Sequence, residues 1–190
     1  LCWVRHQEGG VSPILVSQGF GTLLALIMGR TESRFCQGMV FASPLFSQHF
    51  SIPVYQMALL KKLSDTFPEI SLPKYFTPPI WQRPEDLEEE IHPLSAGLFC
   101  DIWQHLSQGK KLFHRLTLPS LILSPTDLPS YNHEALKRMV AKHPHSEKMN
   151  LHNFHTSHHK ILSSPSHKTQ EIFKTISHWL DGFQKKSHEQ

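Results

Sequence analysis

Apolar positions along the 190-residue chain alternate between short runs and helical stripes. Ile14, Leu15 and Val16 form a short run that stops at the small, polar stretch Ser17-Gln18-Gly19-Phe20-Gly21. A longer Leu/Ala/Ile run then extends from Leu23 to Met28. This pattern predicts a strand, a tight turn and a buried helix over 13–28, with Gly29 suited to the position just past a helix end. Residues 31–37 are polar, and 38–43 form a second apolar run halted by Pro44. Strand, helix and strand within about thirty residues predict a βαβ unit with parallel strands.

The middle of the chain changes period. Val54, Met57, Ala58, Leu60, Leu63 and Phe67 recur at helical spacing, interrupted by Pro68 and Pro73. Residues 83–91 start an acidic helix, with Pro84 at a position suited to the first helical residue and carboxylates in the first turn. Leu94, Leu98, Phe99, Ile102, Trp103 and Leu106 continue a helical stripe. Segment 51–106 is therefore expected to be a helical cap over a pocket, the alternative being additional core helices. Residues 110–116 lead into a third strand at 118–123, which ends in Ser124-Pro125-Thr126-Asp127. A helix is expected at 133–143 and a fourth strand at 148–154, followed by a histidine-bearing loop at 155–159. A closing amphipathic helix at 171–183 places Ile172, Phe173, Ile176, Trp179 and Leu180 on one face.

Composition narrows the function classes. With 39% hydrophobic and 18% charged residues, the chain has the make-up of a folded domain. A net charge of +3, with basic residues scattered apart from Lys185-Lys186, argues against nucleic acid as a partner. Three widely spaced cysteines give neither a disulfide framework nor a cysteine zinc motif, which fits reduced thiols in a cytoplasmic protein. No apolar run approaches the roughly 18 residues of a membrane span, and attachment at a membrane surface is compatible with the sequence. The chain enters a core strand soon after Leu1, which reads as a fragment or processed chain. Its 15 histidines are unusually many.

The candidate chemistry lies in the loops. A strand-to-helix turn, an Asp after a later strand and a His after a further strand follow the chain order of an α/β-hydrolase triad. The stretch Ser17-Gln18-Gly19-Phe20-Gly21-Thr22-Leu23-Leu24-Ala25-Leu26 resembles the nucleophile elbow of the monoacylglycerol lipases and lysophospholipases, a serine aminopeptidase-like branch of the α/β-hydrolases. Ala42-Ser43-Pro44-Leu45 is similar to that family's strand ending in S-x-P. Pro119 to Leu123 followed by Asp127 resembles its acid segment. His158-His159-Lys160-Ile161-Leu162 resembles its histidine segment, and Trp179-Leu180 the aromatic-leucine pair of its last helix.

The resemblance implies a single partial α/β-hydrolase domain over 1–190: a parallel sheet flanked by helices, with the lid at 51–106 and the family's first strands lying before Leu1. It implies carboxylic ester hydrolysis by acyl transfer, no cofactor, and a lipid-like or otherwise hydrophobic ester as ligand. The acid is then Asp127, the base His159 with His158 as runner-up, and the remaining oxyanion donor the Phe20 N–H. The nucleophile position is occupied by Gly19, which has no side chain to attack with. Ser17, standing where the family has the first elbow glycine, is the nearest hydroxyl but is expected in the strand end. Pro125 and a loop shorter by one residue alter the acid segment, and Lys160 replaces a glutamate.

Each position also has a plainer reading. Gly19 suits a strained turn. Asp127 suits a turn or helix cap. His152, His155, His158 and His159 could ligate a metal, but they lack a completing Cys or carboxylate and fit compositional bias better. Trp81, Phe99 and Trp103 could line an acyl pocket or fill a core. Glu88-Glu89-Glu90 reads as a solvated face. Two functions follow: a lipase-like serine hydrolase, or a catalytically silent relative that binds a lipid-like ligand or a protein partner.

Overall fold

The computed structural model describes residues 12–31, 33, 36–45, 54–73, 94–128, 131–155, 161–162 and 167–188. Four strands form one fully parallel sheet in the order β1 (Ile14–Gln18), β2 (Gly38–Ala42), β3 (Ser120–Pro125), β4 (Met149–Phe154). Helix α1 (Gly21–Thr31) joins β1 to β2. Helices α2 (Val54–Thr66) and α3 (Ala96–His114) lie between β2 and β3, α4 (His133–Ala141) between β3 and β4, and α5 (His167–His188) after β4. Among the described residues no helix is long and apolar enough to cross a membrane.

Strand pleating sends alternate residues to opposite faces. Met39, Phe41 and Ile122 pack with Ala25 and Leu26 of α1, Phe113 of α3, and Leu136 and Val140 of α4. Val40, Ala42, Leu121 and Leu123 face the other way, onto Ile172 and Ile176 of α5. Helices on both faces explain why β2 and β3 are buried along their whole length: a parallel sheet is covered on both sides. A separate apolar cluster joins Leu60 and Leu72 to Ala96 and Phe99. Helix α3 thus enters two clusters, with Phe99 near its start in this one and Phe113 near its end under the sheet. Ser95 opens α3 as its N-cap, its hydroxyl accepting from the Leu98 N–H at 3.3 Å.

Several expected boundaries move. Helix α1 continues through Gly29 to Thr31, so Gly29 is an interior helical residue and not a terminator. A Cβ there would collide with the end of the Met39 side chain, which accounts for glycine at a buried contact. The segment 110–116, expected to lead into a strand, supplies the last turn of α3, whose apolar positions Leu112 and Phe113 continue the earlier stripe. Strand β3 is displaced to Ser120–Pro125, and buries the polar Ser120 and Ser124. Phe99 is a core residue at 1% exposure. The acidic stretch 83–91 and Trp81 lie outside the described residues.

Candidate active site

All four strands run the same way, so four loops leave the sheet along one edge. In open α/β sheets this carboxyl edge is where ligands bind. After β1 come Gly19 and Phe20, after β2 Ser43 to Leu45, after β3 Thr126 and Asp127, and after β4 His155. The loops are tied into the sheet. Gly19 N–H donates to Ala42 O (3.0 Å), Ser43 N–H to Leu123 O (2.9 Å), and Thr126 N–H to Phe154 O (2.9 Å).

The turn at Gly19 is sharp. Its φ of +55° is a conformation that residues with a side chain rarely adopt. Its carbonyl accepts from both the Thr22 N–H (3.2 Å) and the Thr22 hydroxyl (2.6 Å), and the Phe20 carbonyl accepts from the Leu23 N–H (3.1 Å). These bonds lock the chain from strand into helix α1, whose first turn carries no acidic residue to offset its positive end. Among the described residues, nothing lies within 4 Å of a Cβ built on Gly19. Phe20, whose N–H was expected to serve an oxyanion, is exposed at 41%. Ser17 sits within β1, its hydroxyl donating across the strand pair to Val40 O at 3.2 Å.

Ser43 is a second strained position on this edge. It is the one non-glycine residue among those described with positive φ (48°), it is fully buried, and its hydroxyl has no hydrogen-bond partner. Residues held this way cluster at functional sites.

Asp127 projects from the end of β3, its side chain 48% exposed. Thr126 Oγ1 lies 2.9 Å from Asp127 Oδ1, 3.2 Å from Phe154 O and 3.1 Å from His155 Nδ1. His155 Nδ1 stands 3.4 Å from Asp127 Oδ1. The nitrogen facing the acid is the one that faces it in a hydrolase triad. The pair is open to solvent, the His155 side chain being 87% exposed, so its contribution to stability is small, at most about 1 kcal/mol. His158 and His159 lie outside the described residues, and the imidazole seen against Asp127 is His155. The sequence carried a signal for it: His155 is the first residue past the fourth strand, where a loop group reaches the sheet edge.

A further contact on this edge was not anticipated. Ser124 Oγ, fully buried at the end of β3, lies 2.8 Å from Nδ1 of His133, the first residue of α4. It ties helix to strand, and covers the hydroxyl. Both described cysteines are poor nucleophile candidates. Burial raises the Cys36 thiol above its usual range, and Cys36 stands before β2, at the opposite edge. Burial likewise raises Cys100, within α3. His152 is exposed on β4 with its ring against Phe154. Among the described residues no three His, Cys, Asp or Glu side chains gather as a metal site.

The model of the serine aminopeptidase, S33, family matches residues 3–166. The chain belongs to this family. No curated protein matches the sequence. Solved structures share the fold at low identity. A monoacylglycerol lipase of Paleococcus ferrophilus is 22% identical with a TM-score of 0.68, over 96% of this chain and 73% of that one. A thermostable carboxyl esterase of Bacillus coagulans is 12% identical with a TM-score of 0.73, over 96% and 68%. A loop variant of a haloalkane dehalogenase of Bradyrhizobium elkanii is 14% identical with a TM-score of 0.56, over 98% and 72%. A lipase, an esterase and a dehalogenase share this scaffold, so the fold by itself does not fix the chemistry.

Proposed function

We propose that the chain is an α/β-hydrolase of lipase or esterase type whose elbow is catalytically silent, and that it acts by binding a lipid-like or other hydrophobic ligand at the carboxyl edge of the sheet. The observation that carries this is Gly19. It occupies the tip of a hydrogen-bonded strand-to-helix turn that no other described residue crowds, where acyl transfer needs a hydroxyl or thiol. In this reading Asp127 is the acid, supported by its place past β3, and His159 or its runner-up His158 is the base. Ser17 is no substitute, because its hydroxyl is spent within the sheet. Segment 51–106 is the cap, supported by the apolar cluster that α2 and the start of α3 share apart from the sheet.

The test is turnover of a p-nitrophenyl ester and labelling by a fluorophosphonate, with Gly19→Ser beside the native chain. The native chain is expected to show neither. A Ser side chain fits the uncrowded tip and would cost on the order of 1 kcal/mol for its positive φ, so Gly19→Ser is expected to fold. Native turnover blocked by the fluorophosphonate would overturn the proposal, and the labelled peptide would show whether Ser17, Ser43 or Ser124 carries it.

A further inference from the structure

The opposite edge of the sheet holds a feature that the hydrolase reading does not use. Five residues separate the last turn of α3 from β3, and the last turn of α4 precedes β4. Both helix ends therefore lie at the amino edge, about 20 Å along the strands from Gly19 and Asp127. Between them is a cavity of about 630 Å³, within the range of small-molecule sites. Lys110, Lys111, His114 and Arg115 line it from α3 and its cap, and Arg138 and Lys142 from α4 and its cap. Phe113 and Met139 also line it, and among the described residues no Asp or Glu does. Two basic stretches, 110–115 and 138–142, thus converge in space.

None of these six basic side chains is ion-paired among the described residues. The nearest acid on α4, Glu134, meets Arg138 through its backbone carbonyl, which accepts from Arg138 Nε at 3.2 Å. Glu147 is taken up by His145 at 3.7 Å. Five permanent cations around one concavity repel one another unless an anion enters. The helix C-termini that form the walls stabilise these cations locally but do not neutralise them. Two guanidinium groups suit the planar, bidentate recognition of an oxyanion, and the methylene stems of the lysines with Met139 supply apolar contact beside it.

We infer that this cavity binds the phosphate of an amphiphilic phosphate monoester, taking its apolar tail along Met139 and the lysine stems. The site is independent of Gly19 and of the proposed function.

The probe is dodecyl phosphate, titrated below its micelle-forming concentration. One-to-one binding is expected, displacing the Met139 methyl resonance and weakening at least tenfold as salt rises from about 0.05 to 0.5 M. Arg138→Glu/Lys142→Glu and, from the other wall, Lys110→Glu/Lys111→Glu should each weaken it at least tenfold while retaining the native helicity and a cooperative melt, lowered only by the modest cost of carboxylates at helix C-termini. These positions are all exposed, so the fold does not depend on them. Lys61→Glu/Lys62→Glu, the same charge change on α2, should leave binding intact. Equal binding of the uncharged dodecyl maltoside would overturn the inference. So would an equal loss with the α2 variant, no loss with either cavity variant, or attachment to phosphatidic acid vesicles without binding of the single amphiphile.

Discussion

At the scale of single residues, two side chains carry strain or a fixed protonation state that substitution can expose. Ser43 holds a positive φ and a buried hydroxyl without a partner. Removing an unsatisfied buried hydroxyl is near neutral or favourable, and glycine relieves the backbone. Ser43→Ala is therefore expected to leave the unfolding midpoint unchanged or raised, and Ser43→Gly to stabilise by about 1 kcal/mol, both read by denaturant unfolding. A loss of stability in both would show that the hydroxyl makes a native contact. His143 is buried, with Nε2 against the Phe113 carbonyl at 2.8 Å and Nδ1 accepting the His145 N–H at 3.0 Å. One nitrogen donates while the other accepts, so the ring is held neutral. Burial lowers its pKa most, His114 and His145 lower it further, and the Phe113 carbonyl and Glu147 oppose the shift. Below the ordinary histidine range near 6.5 the unfolded chain takes up a proton that the folded chain resists. Its part of the stability is present above that range and is lost as pH falls through it toward the lower folded value. Thermal unfolding at pH 7.5 and 5.5 should show a smaller acid loss in His143→Gln than in the native chain.

At the scale of elements, the sequence was legible where one period ran unbroken. The βαβ start, the order of strands and helices, and the amphipathic last helix all followed from apolar spacing. Boundaries slipped where tertiary contact overrode local cues. Gly29 resembles a terminator, yet lies inside α1 with the end of the Met39 side chain against it. Ser124 and Pro125 looked like a turn, yet extend β3 because β4 pairs with them and His133 satisfies the Ser124 hydroxyl. The contact of Asp127 with His155 was legible only in part: His155 is the first residue past β4, but histidines are abundant in that stretch and spacing alone does not rank them. Helix α4 offers a direct check. Asn132 is its N-cap, its side-chain oxygen accepting from the Ala135 N–H at 2.8 Å. Asn132→Ala should cost about 1 kcal/mol in chemical denaturation. No measurable cost would mean that tertiary packing alone holds the start of α4.

At the scale of the whole molecule, the described sheet is covered unevenly. Beside the buried β2 and β3, β1 is an edge strand with Val16 54% exposed, and α1 turns Leu24 (60%), Ile27 (40%) and Met28 (37%) to solvent. An apolar face beside a strand edge favours association. The 190-residue chain is expected to self-associate at micromolar concentration in sedimentation experiments, and Leu24→Lys/Ile27→Lys to shift it toward monomer. A soluble monomer with a sharp cooperative melt would contradict this. The family itself was legible from the loops: the elbow, the S-x-P strand end and the acid segment fall along one sheet edge. What the fold adds is the state of the elbow, built and with Gly19 at its tip.

The most direct measurement is the intact mass of the native chain after exposure to an excess of a fluorophosphonate, with an active serine hydrolase alongside. An unchanged mass for the native chain and full modification of the control enzyme are predicted. A stoichiometric adduct on the native chain would contradict the assignment of a silent elbow.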